Sequence, residues 1–159
     1  MGQAMANGHV DQPLVLSNFW PYRIVTLANR ISRAIAEHYE AKFSLSVPEW
    51  RVMAVLGEGV EMSAGEVAEK TAMDKVAVSR AVKQLLKVRR IERRLSPDDR
   101  RRSMLRLSAK GTGIYQQIVP LALSYEQAIL SELSQTEIDS LDTIIHKLDS
   151  ITVDKIKNL

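Results

Sequence analysis

Between positions 75 and 110 the chain carries thirteen lysines and arginines against only Glu92, Asp98 and Asp99, a local net charge of +10. The remaining residues hold nine basic and sixteen acidic side chains, a net of −7, so the overall +3 conceals a steep gradient. Taken alone, a charge run can be a solvated face; a gradient this steep points to a polyanion. Lys75, Lys83 and Lys87 fall along one amphipathic stretch with Ser79, Arg80 and Gln84. Arg80 and Gln84 stand four apart, on one helical face, and are long enough to reach guanine or adenine edges in a duplex. Arg93, Arg94, Arg100 and Arg102 suit phosphate oxygens, which position a protein on DNA without reading its sequence.

Catalytic constellations are missing from the sequence. His9, His38 and His146 are scattered, and there is no H-x-x-x-H, G-x-S-x-G or Gly-rich phosphate loop. Acid pairs such as Glu58 with Glu61 and Glu137 with Asp139 fall at caps and loops, where they complement helix dipoles. With no cysteine, thiolate metal sites and disulfides are excluded. We therefore expect no enzyme, no cofactor and no metal. No apolar run approaches the roughly 18 residues of a membrane span. The opening MGQAMANGHVDQ has neither an h-region nor a basic n-region, and position 6 is Ala, which excludes a myristoylation motif. A cytoplasmic protein with a flexible tail over 1–16 is the expectation.

The basic residues need elements to hold them. From Phe19 to about Lys42 the residues Ile24, Leu27, Ile31, Ile35 and Tyr39 recur at helical spacing, with Ser17 as N-cap and Pro21 in the first turn. Three capping boxes, Ser46 with Glu49, Ser63 with Glu66 and Ser134 with Glu137, predict helices over 47–56, 64–71 and 135–149. Asp74 opens a further helix over 75–88, whose Val78, Val82 and Leu85 face inward. Residues 90–95 and 104–107 read as two short strands around a charged turn containing Pro97. Ser108 then caps a long helix toward Leu133, with the stripe Ile114, Ile118, Leu121, Tyr125 and Ile129, and Pro120 predicts a bend in it.

Three short helices closed by a charged hairpin describe a winged helix-turn-helix, whose third helix enters the major groove. The fold class is mainly α (α+β): a winged helix-turn-helix with long N- and C-terminal dimerisation helices. Residues 46–111 form the DNA-binding domain; 17–45 and 112–159 form a helical dimerisation domain. The stripes of the terminal helices would remain wet in a single chain, so a homodimer is expected, with both basic hairpins facing one double-stranded DNA.

Three motifs carry a family resemblance. Asp99-Arg100-Arg101 followed by Leu107-Ser108-Ala109-Lys110-Gly111 fits D-x-R and L-[ST]-x-x-G; Asp74 to Arg80 resembles D-K-S-T-V-T-R; Ser46 to Val52 matches the opening of a second helix. Over residues 17 to about 149 the chain resembles the MarR-type transcriptional regulators. The resemblance implies that Asp99 orients Arg101, whose guanidinium enters the minor groove; the plainer reading is that Asp99 staples the turn by pairing with an arginine. It also implies a palindromic operator and repression relieved by an anionic aromatic effector bound between the dimer helices and the DNA-binding lobe. Trp20, Arg23, His38 and Trp50 could stack on or pair with such a ligand, although Trp50 also suits a core and His38 a satisfied helix end.

Two departures stand out. Val76 and Ala77 replace hydroxyl residues in the recognition-helix motif, which leaves Ala77 at most a thymine methyl to touch. Arg89 stands where the family commonly ends the helix with Gly, a left-handed position that costs a non-Gly residue about 1–2 kcal/mol. Either the turn is built differently or the role of the arginine offsets the strain. Other readings of the whole are an effector-independent architectural or activating DNA-binding protein, and a winged-helix protein–protein adaptor, against which the +10 segment stands.

Overall fold

A computed structural model describes residues 13–95 and 103–155, with side chains as far as Ile151. The wing-tip residues Pro97, Asp98, Asp99, Arg100, Arg101 and Arg102 and the first twelve residues of the expected tail lie outside the described residues. In chain order come α1 (Trp20–Phe43), α2 (Val47–Leu56), α3 (Ala64–Thr71), α4 (Lys75–Lys87), β1 (Ile91–Leu95), β2 (Ser103–Leu107), α5 (Ala109–Leu130) and α6 (Gln135–Lys155). The mainly helical winged helix-turn-helix with long terminal helices is thus present.

Local signals set most boundaries. The carboxylate of Glu49 accepts from the Ser46 amide at 2.8 Å, Glu66 from Ser63 at 2.7 Å and Glu137 from Ser134 at 2.8 Å, so all three capping boxes close. The bonds from Ser134 also hold the Glu137 carboxyl below the usual carboxylate range. Ser17 does not cap α1. A short 3-10 turn over Leu16–Asn18, closed by Phe19 N donating to the Leu16 carbonyl at 3.1 Å, takes up Ser17, and Phe19 stands at the N-cap without a side-chain bond. Pro21 lies in the first turn as expected. α5 ends at Leu130 rather than Leu133, and its span includes Pro120. α6 runs past 149 to Lys155, because neither Gly nor Pro interrupts it.

The core belongs to one lobe. Ala36 and Tyr39 of α1 pack with Val52, Met53 and Leu56 of α2, Val67 of α3, Val78, Val82 and Leu85 of α4, and Ile114 and Ile118 of α5. Burial then fades along the terminal helices. In the α1 stripe Tyr39 is buried and Ile31 and Ile35 are half-buried, while Ile24 and Leu27 are exposed. The α5 stripe passes from buried Ile114 and Ile118 to exposed Ile129. In α6 every described side chain except half-buried Ile138 is exposed, including Leu141, Ile144, Ile145 and Ile151. A single chain therefore leaves a broad apolar surface on its terminal helices, far beyond scattered exposed residues.

An aromatic chain joins the helices within the lobe. Tyr39 lies 5.7 Å from Trp50, and Trp50 stacks on Tyr115 at 5.9 Å. Burial first, and then the neighbouring Glu40, pushes the Tyr39 phenol up to about 12, with Arg51 opposing. The folded state thus holds this proton more tightly than the unfolded chain, whose tyrosines ionise near pH 10. Its contribution to stability is complete below about pH 10 and declines as pH rises toward 12. Ultraviolet titration should show one phenol ionising near pH 12, and Tyr39→Phe should remove that step. A Tyr39→Phe protein that keeps the late step would show the assignment to be wrong.

Candidate nucleic-acid interface

The α4 helix is opened by Asp74, whose Oδ1 accepts from the Ala77 amide at 2.8 Å. Val78, Ala81, Val82 and Leu85 are buried, and at 100° per residue the pole opposite them carries Val76, Arg80, Lys83 and Lys87. Arg80, Lys83, Lys87 and Val76 are exposed, as is Gln84 on the flank. Ala77, on that same flank, is half-buried, so Val76 presents more apolar surface than the alanine beside it. On the other flank a groove of about 660 Å³ is lined by Lys75, Ser79, Lys83 and Lys87 of α4, by Ala64 and Gly65 at the start of α3, and by Arg93 of β1. The fold thus brings the expected Lys75, Ser79 and Lys83 together with one wing arginine. Arg80 and Gln84 share the outer face but not the groove.

The wing strands pair antiparallel, Ile91 with Leu107 through Leu95 with Ser103. Arg93 and Arg94 are exposed on β1. Ile91 and Leu105 anchor the hairpin in the core. Leu105 also pairs with Met62, its amide donating to the Met62 carbonyl at 2.7 Å and the reverse bond closing at 3.1 Å. This third strand position, just before the Ser63 cap, fastens the wing to the connection between α2 and α3. No local sequence pattern marks it, because one residue has no periodicity.

Not all of the basic charge is available outward. Among the ten basic residues of the 75–110 segment that are described, three have internal partners. Arg106 donates to Glu92 at 2.8 Å and lies 3.9 Å from Glu61. Lys110 donates to the Val88 carbonyl at 3.1 Å. Arg90 donates to the carbonyls of Phe43 and Ser44. Lys75, Arg80, Lys83, Lys87, Arg93 and Arg94 keep exposed side chains, as does Arg89.

The turn at Arg89 is the one a glycine would make. Its φ is 57°, in the left-handed region, and Arg89 N donates to Leu86 O at 3.1 Å while Arg90 N donates to Leu85 O at 2.9 Å. These two bonds are a Schellman closure of α4. The start of α5 then covers the end of α4. Ser108 Oγ donates to the Arg89 carbonyl at 2.7 Å, Ser108 N to the Arg90 carbonyl at 3.0 Å, and Lys110 to the Val88 carbonyl. Gly111 lets α5 approach this closely: a Cβ there would stand 1.9 Å from the Arg90 oxygen.

The four residues considered for an effector are dispersed. Arg23 lies over the Trp20 ring at 4.2 Å, and both line a cavity of about 470 Å³ near the start of α1 with Tyr22 and Arg30. Trp50 borders a separate cavity of about 110 Å³ with Tyr39 and Arg51. His38 meets the Tyr125 hydroxyl at 2.7 Å, with Nδ1 also 3.2 Å from the Ala34 carbonyl, and lines neither. Among the described residues no group of His, Asp or Glu could hold a metal, and no helix is long and apolar enough to cross a membrane.

Residues 43–102 match the MarR family model. The chain is similar to a MarR/EmrR family transcriptional regulator from Acinetobacter sp. ADP1, with 27% identity and a TM-score of 0.80 over 92% of this chain and 100% of that one. It is also similar to a MarR family transcriptional regulator from Silicibacter pomeroyi DSS, with 26% identity and a TM-score of 0.73 over 88% and 91% of the two chains. Bordetella bronchiseptica BpsR, whose DNA binding is regulated by 6-hydroxynicotinic acid, shares the fold at 20% identity, with a TM-score of 0.72 over 87% of this chain and 98% of its own. No curated protein matches the chain.

Gly111→Ala should push α5 off the Arg90 carbonyl and destabilise the protein by about 3 kcal/mol, the upper range for overpacking. Urea unfolding measures this; a loss below about 0.5 kcal/mol, the size of an ordinary surface change, would mean the close approach is not needed.

Proposed function

We propose that this chain, whose residues 43–102 match the MarR family model, is a homodimeric repressor that binds a palindromic operator and is released by a small aromatic acid. The observation that carries the DNA-binding part is the exposed basic face of α4 beside Arg93, on the helix that this architecture places in the major groove. Lys75, Lys83, Lys87, Arg93 and Arg94 contact phosphates. Arg80 and Gln84 read base edges, with Ser79 as a short hydrogen-bonding neighbour. Val76, with Ala77 behind it, meets thymine methyl groups. In the wing tip, Asp99 orients Arg101 into the minor groove, flanked by Arg100 and Arg102 on phosphates.

Surface chemistry supports the dimer. Exposed Ile24 and Leu27 on α1, Ile129 on α5 and Leu141 with Ile145 on α6 form stripes that a second copy would bury. Sedimentation should give a dimer, and Leu141→Glu combined with Ile145→Glu should give a folded monomer. A monomer in the unaltered protein would defeat this part of the reading.

The effector reading rests on a cationic and aromatic cluster, Trp20 with Arg23, and on the regulation of BpsR by an aromatic acid. The alternative, a regulator that needs no effector, is separated by thermal melting against a panel of aromatic acids. A binder at one hundred times its Kd raises stability by about 2.7 kcal/mol. A panel that shifts nothing favours the alternative.

Sequence reading has its own test. Arg80→Ala should relax the preference for one base pair by about 1–3 kcal/mol in a selection from randomised duplexes. An unchanged preference would remove Arg80 from the readout.

A further inference from the structure

Arg90 joins three elements through different atoms. Its main-chain N–H closes α4 on the Leu85 carbonyl at 2.9 Å, and its carbonyl accepts from the Ser108 amide at 3.0 Å. Its guanidinium reaches across 46 residues of sequence to donate to the Ser44 carbonyl at 3.3 Å, and also to the Phe43 carbonyl. Those two carbonyls end α1, where Ser44 turns left-handed with φ 47°. A helix ends in orphan carbonyls with a partial negative charge, so a cation with two forked donors fits there both in hydrogen bonding and in charge. Arginine is suited to such a place because its planar fork engages two acceptors at once, whereas a lysine ammonium is a single point.

We propose that Arg90 is a positioning residue for DNA binding, fixing α4 and the wing in place relative to α1. The inference rests on the dimeric DNA-binding reading above. If α1 belongs to the dimer interface, the distance between the two α4 helices is set by how firmly each α4 is tied to its own α1. Apolar packing of Ala36 and Tyr39 against the lobe resists separation, but it is non-directional and tolerates small slides. A forked bond to two successive carbonyls does not. Among its polar contacts none is to the basic groove, and Arg90 is not among the residues that line it. Its effect on DNA is therefore geometric rather than through phosphate contact.

Arg90→Met keeps the apolar stem and removes the fork; Arg90→Lys keeps a charge and a single donor. The full-length proteins would be titrated against a duplex that the unaltered protein selects from a randomised pool, and against the same duplex with one base pair inserted at its centre. We expect Arg90→Met to melt within a few degrees of the unaltered protein and to bind the selected duplex about tenfold more weakly, within the range of residues that couple sites without touching ligand. On the duplex with the insertion its loss should shrink to about twofold or less, because a looser α4 tolerates altered spacing. Arg90→Lys should fall between. Equal losses on both duplexes would make Arg90 a general structural residue, and a salt slope reduced by about 0.9 would make it a phosphate contact. Either result, or unchanged affinity, overturns the proposal. Failure of the unaltered protein to select any duplex would instead overturn the DNA-binding reading itself, and this inference with it.

Discussion

The last turn of α4 must end, reverse and become a strand while three successive carbonyls, those of Val88, Arg89 and Arg90, find donors. All three donors come from Ser108 and Lys110, about twenty residues later in the chain. The left-handed backbone at Arg89 costs about 1–2 kcal/mol. Each hydrogen bond of the closure contributes about 0.5–1.5 kcal/mol net. Two bonds of the Schellman turn and three from the start of α5 are therefore enough to hold a non-glycine residue there. The strain is offset by hydrogen bonds to main-chain carbonyls, two of them donated by the side chains of Ser108 and Lys110, and the Arg89 side chain, which is exposed, need not compensate for it. Because the same bonds tie α4, the hairpin and α5 together, the relative placement of α4 and the hairpin depends on them.

Charge at the sequence level overstates charge at the surface. The +10 segment looks uniform along the chain, yet Arg90, Arg106 and Lys110 bind within the lobe and bring elements together. The exposed remainder is concentrated on the outer pole of α4 and on β1, beside one groove. The same fold that gathers these charges leaves apolar side chains such as Ile24, Leu27, Ile129, Leu141 and Ile145 exposed on the terminal helices. Exposed basic side chains on α4 and β1 and exposed apolar ones on the terminal helices thus occupy different elements, a division that suits the proposed reading of a molecule meeting both a duplex and its own copy.

Where a feature is governed by neighbours in sequence, it was readable in advance. The Ser46, Ser63 and Ser134 caps, the Asp74 start and the inward face of α4 needed only a few adjacent residues. Ser17 lies in a 3-10 turn instead of capping α1, a competition that its residue type does not reveal. The Met62 to Leu105 bridge, the reach of Arg90 to Phe43 and Ser44, and the pairing of Arg106 with Glu92 had no local signature, since each depends on the tertiary fold. Composition grouped Trp20, Arg23, His38 and Trp50 by chemical type, whereas the helices carry them to separate places. Helical spacing from the inward Val78, Val82 and Leu85 sets Val76 on the outer pole and Ala77 on the flank, and the burial of the two agrees with it.

On the proposed reading, the basic face of α4 and the wing binds duplex DNA by neutralising phosphates. Fluorescence anisotropy of a labelled duplex, titrated with the full-length protein over a series of salt concentrations, tests it most directly. Each phosphate contact adds a slope of about −0.9 to the dependence of log K on log salt, so the five contacts of Lys75, Lys83, Lys87, Arg93 and Arg94 predict a slope of about −4.5 or steeper. A slope near zero, with binding unaffected by salt, would contradict the claim.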